Sequence, residues 1–194
     1  MTGVDERRLQ EIYAHSDDPW TFRTSRYEAA KFAATFDALP RPHYRSGLEL
    51  GCGNGELARR IAQRCDAYTG LDAVETALIA ARLAVPKASF HQGFLPCPLP
   101  EGLHDLVVLS EILYFLGTDG IDWLAEELDD RCPDADIVCV TWRGPSGNPL
   151  EGEAALALFF SALGDHRSAA TVRLTSDYRI DVLRPLGLNC LVTE

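Results

Sequence analysis

Residues 48–57, LELGCGNGEL, constrain this chain more than any other stretch. An apolar run ends in an acid, glycines follow at every second position (Gly51, Gly53, Gly55), and a helical pattern begins at Glu56. Glycines in such a turn accept positive φ and let a ligand lie against bare backbone. They also weaken the strand and helix they join, so three together need a reason. A glycine turn that ends a strand and opens a helix is the setting in which such motifs bind ligands.

The surrounding pattern supplies that setting. Residues 47–50 read as a short strand. The helix expected over 56–65 carries Leu57, Ile61 and Cys65 on one face, with Arg59, Arg60, Gln63 and Arg64 on the other. Strands are expected at 67–72, 88–92, 105–110 and 136–142, with helices over 74–84, 121–130 and 150–163 between or after them. The run at 105–110, DLVVLS, is apolar almost throughout, as a strand covered on both faces should be. Two last strands are expected at 170–174 and 178–183, joined by a turn, the final one lying at a sheet edge or against a partner. Upstream, 4–15 reads as a short helix. SDDPW then breaks it, with Asp18 as a cap and Pro19 at a first helical position. Ser25 and Glu28 stand at capping-box spacing ahead of a stripe of Phe32, Phe36 and Leu39. The pattern therefore predicts an α/β fold, a Rossmann-like sandwich whose mostly parallel central sheet has helices on both faces. At 194 residues the chain suits one domain, with 1–44 as an N-terminal helical lid and 45–194 as the ligand-binding core.

The spacing discriminates between two ligands. A dinucleotide site reads G-x-G-x-x-G, whereas Glu56 stands here where the third glycine belongs. A pyrophosphate at the helix start would also meet two carboxylates, Glu49 and Glu56. S-adenosylmethionine carries no phosphate; its sulfonium and amino group are cationic, so a nearby acid is an asset. The run E-x-G-x-G-x-G from Glu49 to Gly55 matches that second ligand. Asp72 lies about 20 residues past Gly51, where an acid binds ribose hydroxyls; it also stands where it could cap the helix that follows. A nucleotide-binding oxidoreductase fragment and a cofactor-binding protein without catalysis are the competing classes.

Bulk properties narrow the partners. The formal charge is -11 and the sequence pI about 4.8, with no basic face for nucleic acid or anionic membranes. The six cysteines show no C-x-x-C spacing, so no metal site is expected. The opening MTGVDERRLQ lacks the apolar stretch of a signal peptide, and no apolar run is long enough to span a bilayer. Reduced, mostly buried thiols in a cytoplasmic protein are expected.

Four stretches together resemble the nodulation-protein-S (NodS) type of class I methyltransferase: DDPW (17–20), LELGCGNG (48–55), DLVVLSEILYFL (105–116) and GEAALALFFSAL (152–163). The resemblance implies a methyltransferase that uses S-adenosylmethionine to N-methylate a free amine on an amino sugar or chito-oligosaccharide; methylation of another small molecule at nitrogen or oxygen is the alternative. It implies cofactor contacts at Trp20, Glu49, Gly51, Cys52, Gly53 and Asp72, with Ala73 and Ser110 beside them. In that family the loop after the third strand carries an aspartate for the adenine amino group and then an apolar residue. Here Gly93 takes the place of the aspartate and Phe94 follows. N-methylation needs a neutral amine, so a proton acceptor is expected near the end of the fourth strand. Glu111 and Tyr114 are the catalytic candidates, on one helical face if the helix begins there. The structural alternative makes Glu111 a helix-start residue and Tyr114 core.

Overall fold

The computed structural model describes residues 2–186. Seven strands form one sheet: β1 (Tyr44–Leu50), β2 (Cys65–Asp72), β3 (Ser89–Gln92), β4 (Leu106–Ser110), β5 (Asp136–Trp142), β6 (Arg167–Leu174) and β7 (Tyr178–Pro185). Their order is β3-β2-β1-β4-β5-β7-β6. The first five run parallel, while β7 pairs antiparallel with both β5 and β6. The helices are α1 (Glu6–Tyr13), α2 (Arg26–Asp37), α3 (Ala58–Ile61), α4 (Glu75–Ala84), α5 (Leu113–Arg131) and α6 (Gly152–Ala162).

Alternation along the strands divides the core between the two sheet faces. On β4, Val107 and Leu109 pack with Leu48, Leu50, Ile121, Leu124 and Phe159 on one face. Leu106 and Val108 pack with Tyr44, Ile61, Leu78, Val138 and Ile180 on the other. Period-two side-chain direction makes a central strand apolar at every position. The chain winds outward in one direction from β1 and in the other from β4. Their shared boundary is the topological switch point, outside whose carboxyl ends ligands bind.

The structure corrects several sequence expectations. The helix expected over 56–65 is one short turn, α3, followed by a 3-10 turn at Ala62–Arg64; Cys65 already pairs with Tyr44 in the sheet. No helix starts at Pro19. Asp18 instead accepts hydrogen bonds from the Phe22 and Arg23 backbone N–H groups at 2.7 and 3.1 Å, closing a turn with Thr21 at φ 58°. Ser25 does cap α2, accepting from the Glu28 N–H at 3.2 Å, but the Glu28 carboxylate turns to Lys31 rather than completing the box. The α5 helix starts earlier than 121, at Leu113, with a break at Gly117 (φ 68°, ψ 176°). Among the described residues the final strand is not at the edge. Strand β7, with buried Ile180, Val182 and Leu183, inserts between β5 and the largely exposed β6. The more apolar strand takes the covered position. Cys190 lies outside the described residues; Cys52, Cys132 and Cys139 are buried free thiols, and Cys65 and Cys97 are half-buried ones.

Candidate active site

A cavity of about 400 Å³ lies over the carboxyl ends of β1, β2 and β4. One end is the glycine turn. Gly51, Gly53 and Gly55 have φ of 74°, 52° and 79°. The turn is pinned from outside: the Gly51 and Cys52 N–H groups donate to Leu71 O at 2.8 and 3.1 Å. The Gly53 N–H donates to Asp72 Oδ2 at 2.8 Å, and the Val74 N–H to Oδ1 at 3.0 Å. Asp72 therefore braces both the turn and the start of α4 while lining the cavity. Burial pushes its carboxyl up against the opposing pull of those backbone N–H groups. Gly55 is fixed by packing, since a Cβ there would lie 2.9 Å from Ala81 Cα on α4.

The N-terminal segment roofs this end. Asn54 Nδ2 donates to Asp18 Oδ1 at 3.0 Å. Trp20 stacks on Phe22 (5.7 Å between centroids) and meets the Tyr13 ring edge-on at 5.3 Å. Tyr13 and Phe22 are the nearest groups to the open side of Gly53, at 3.5 and 3.7 Å from where a Cβ would stand.

Of the residues expected to contact the cofactor, the cavity wall includes Trp20, Gly51, Gly53, Asp72, Ala73, Gly93, Phe94 and Ser110. Glu49 and Cys52 lie outside that wall. Glu49 is 1% exposed, does not line the cavity, and accepts a hydrogen bond from Tyr68 Oη at 2.9 Å. Burial pushes its carboxyl up to about 8, against the opposing pull of the Tyr68 hydroxyl. The strand alternation explains the placement: Leu48 and Leu50 face one core, and Glu49 points to the other. Cys52 is buried beneath the turn with its Sγ against Gly70, and burial raises its thiol well above the usual range. Gly93 has a packing reason. A Cβ there would meet Cys97 Sγ at 2.7 Å and Leu71 Cδ1 at 2.9 Å, so the space that a side chain would need is filled.

The other end is built from side chains. Glu111 follows β4 with φ 59°, a strained conformation for a residue other than glycine, and its N–H donates to Val140 O at 2.9 Å. The turn aims its carboxylate across the sheet ends. Glu111 Oε2 accepts from Tyr114 Oη at 2.8 Å and from the Trp142 N–H at 2.8 Å; Oε1 accepts from Lys31 Nζ at 3.0 Å. Glu111 and Tyr114 do meet, but across the start of α5, because Glu111 precedes the helix. Three donors engage the Glu111 carboxylate: Tyr114 Oη, the Trp142 N–H and Lys31 Nζ. Burial and the Glu111 charge together raise the Tyr114 phenol far above its ordinary value.

Sequence reasoning missed Tyr13, Tyr27, Glu28, Lys31 and Trp142, all in the cavity wall. Glu28 was visible only as a helix-cap residue, and nothing in the sequence shows that α2 leans its Glu28–Lys31 face over the β4 end. The histidines do not line the cavity, and His91 is exposed on β3.

Comparison with known proteins agrees with this architecture. The profile of the Nodulation protein S (NodS) family matches residues 3–122. The chain belongs to that family. Nodulation protein S of Bradyrhizobium diazoefficiens is 28% identical over 181 residues, covering 85% of this chain and 84% of the relative. Among solved structures, N-methyltransferase NodS from Bradyrhizobium japonicum WM9, in complex with S-adenosyl-L-homocysteine, superimposes with a TM-score of 0.77 at 20% identity, covering 93% and 98% of the two chains. A Pseudomonas syringae protein described as a putative methyltransferase is 33% identical with a TM-score of 0.69, covering 81% and 98%. Likeness at the first structure's level of identity carries the fold.

Proposed function

We propose that this family member is an S-adenosylmethionine-dependent N-methyltransferase acting on an amine of an amino sugar or chito-oligosaccharide-like acceptor. One observation carries the reading: a single cavity joins the glycine turn and Asp72 at one end to the Glu111 cluster at the other. The cofactor fits the residues present. The turn end has open backbone at Gly53, apolar and aromatic walls and the Asp72 carboxylate. Lys31, the lysine in the cavity wall, belongs to the far end and is engaged by Glu111. That suits a sulfonium and disfavours a pyrophosphate.

On this reading Asp72 receives the ribose hydroxyls, Ala73, Gly93 and Phe94 border the adenine, and Gly51, Gly53, Trp20 and Ser110 hold the methionine end. Held by these residues, S-adenosylmethionine would supply an activated methyl group for the acceptor nitrogen. The protein's part is alignment, which can supply roughly 7–11 kcal/mol. Residues 1–44 act as a lid: Tyr13, Trp20 and Phe22 exclude water from the turn end. Glu111 and Tyr114 order the acceptor end. Family membership supports the amine acceptor. The acidic charge of -11 favours no nucleic acid or anionic membrane as partner, and among the described residues no helix is long and apolar enough to cross a membrane. The free thiols support a cytoplasmic setting.

Thermal unfolding with added ligand tests the cofactor. A ligand bound only by the folded state stabilises it by about 2.7 kcal/mol at a hundredfold excess over Kd. S-adenosylhomocysteine is expected to raise Tm and NAD to leave it unchanged. A shift with NAD alone, or equal shifts with both, defeats the reading.

A further inference from the structure

The acceptor end contains a carboxylate that the arrangement above leaves without a task. Glu28 and Lys31 both line the cavity from α2. Lys31 is only 4% exposed, and its Nζ stands 3.0 Å from Glu28 Oε2 and 3.0 Å from Glu111 Oε1. The two contacts differ. The one to Glu111 is a hydrogen bond; the one to Glu28 is an ion pair of the same length, so one ammonium is shared between two carboxylates. Glu28 Oε2 is buried, and its charge partner is the Lys31 ammonium that Glu111 also engages. With all three groups ionised, two carboxylates face one ammonium, and the cluster carries one negative charge in excess. A cation bearing N–H donors would offset that excess and give Glu28 a donor it need not share with Glu111. The Tyr27 and Trp142 rings, 6.5 Å apart and perpendicular, wall the same end, and Tyr27 reaches the surface. Aromatic faces beside an excess negative charge suit an ammonium. An anionic acceptor would meet that excess as repulsion.

We infer that Glu28 binds the acceptor as an ammonium ion and takes its proton, with Lys31 and Glu111 as positioning residues. The inference rests on the N-methylation reading and names its proton acceptor. In the step, one N–H bond of the ammonium breaks and an O–H bond forms on Glu28. The nitrogen keeps the electron pair, which becomes the lone pair of the neutral amine. The carboxylic acid later releases the proton to solvent. Burial raises the Glu28 carboxyl, and Glu111 and Asp18 add to that while Lys31 opposes it. The shift is toward the proton affinity that a general base near neutral pH needs. Glu111, holding Tyr114, Trp142 and Lys31, keeps the cation beside Glu28 from swinging away.

The test compares wild type with Glu28→Gln, using chitotetraose with a free amine on its non-reducing residue as probe and the fully acetylated tetramer as control. Calorimetry gives the affinity for S-adenosylhomocysteine, then the affinity of the loaded protein for the probe. Initial methylation rates are measured against pH. Both proteins are expected to bind S-adenosylhomocysteine equally. Probe affinity should fall at least about tenfold in the variant, and its rate about 10²–10⁴-fold at neutral pH, the gap closing as pH rises. Glu28→Asp should recover part of the rate. Wild-type affinity and rate in Glu28→Gln would overturn the inference, as would a lower rate with an unchanged pH profile, which marks a structural role. If wild type binds S-adenosylhomocysteine yet ignores the amine probe, the inference fails while the cofactor reading stands. If wild type does not bind S-adenosylhomocysteine, both fail.

Discussion

The two ends of the cavity are made of different material. At the turn end the functional surface is mainly backbone. Its amides are held by Leu71 O and Asp72, and its shape is set by positive-φ glycines packed on α4. At the acceptor end the surface is side chain, gathered from α2, the end of β4, α5 and the end of β5, and held by charge balance around Lys31. A backbone site is specified by neighbours in sequence and survives many substitutions around it. A side-chain site is specified by tertiary structure, and removing one member leaves the others buried without partners.

The largest expected effect breaks the acceptor end. Glu111→Ala removes the acceptor of three donors, one of them the nearly buried Lys31 ammonium. Lys31 keeps Glu28 at 3.0 Å, so the loss falls on the Tyr114 Oη and Trp142 N–H donors; leaving a buried donor unsatisfied costs about 1–3 kcal/mol each. Urea unfolding should show a loss of that size, while the protein that remains folded binds S-adenosylhomocysteine nearly as wild type does. A loss below about 1 kcal/mol would mean that the cluster is more solvated than its burial indicates. A collapse of cofactor affinity would mean that the two ends are not separable.

The same contrast explains what could be read in advance. The strand–turn–helix order, the parallel sheet and the turn end follow from short-range pattern: apolar runs, glycine spacing, and an acid about 20 residues on. Glu111 was picked out as a candidate because strand ends carry sites. Glu28 and Lys31 were not, because a helix sequence does not reveal which face leans over which strand. The burial of Glu49 was legible too: L-E-L on a strand puts the acid on the face opposite its neighbours, in this fold against Tyr68 in the core. The position of β7 was missed because hairpin order within a sheet is not a local property.

Glu49 lies beneath the backbone-made end and supplies a second, smaller test. Its carboxyl holds a proton up to about 8 in the folded protein, against an ordinary value of 4.5. Between those values the folded state binds more protons than the unfolded chain, so raising pH favours unfolding. The contribution is full below about 4.5 and lost as pH rises through about 8; between about pH 5 and 8 it amounts to on the order of 3 kcal/mol. Asp72 and Glu28, also raised by burial, act with the same sign. Glu49→Gln keeps an acceptor for Tyr68 and removes the titration. Stability measured across that range should decline less steeply in the variant than in wild type. Parallel slopes would show that Glu49 is ionised in the fold, and the turn end would then contain a charge after all.

The smallest effect sharpens the view that the turn end is decided by packing around bare backbone. Gly93 stands where relatives of this type are expected to carry an aspartate, and a Cβ there would come within 2.7 Å of Cys97 Sγ. If Cys97 fills that space, the two positions are coupled. Gly93→Ala alone should cost more than the same change made in a Cys97→Ala background, where the sulfur is gone. Contacting residues show interaction energies of about 0.5–3 kcal/mol in such cycles, and a value near 1 kcal/mol is expected here, because Leu71 Cδ1 at 2.9 Å must still yield in both backgrounds. Urea unfolding of the four proteins gives the coupling directly. Additive costs would show that the sulfur simply rotates aside. The glycine at 93 would then answer to the ligand and not to Cys97, and S-adenosylhomocysteine affinity would fall in Gly93→Ala by the same factor in both backgrounds.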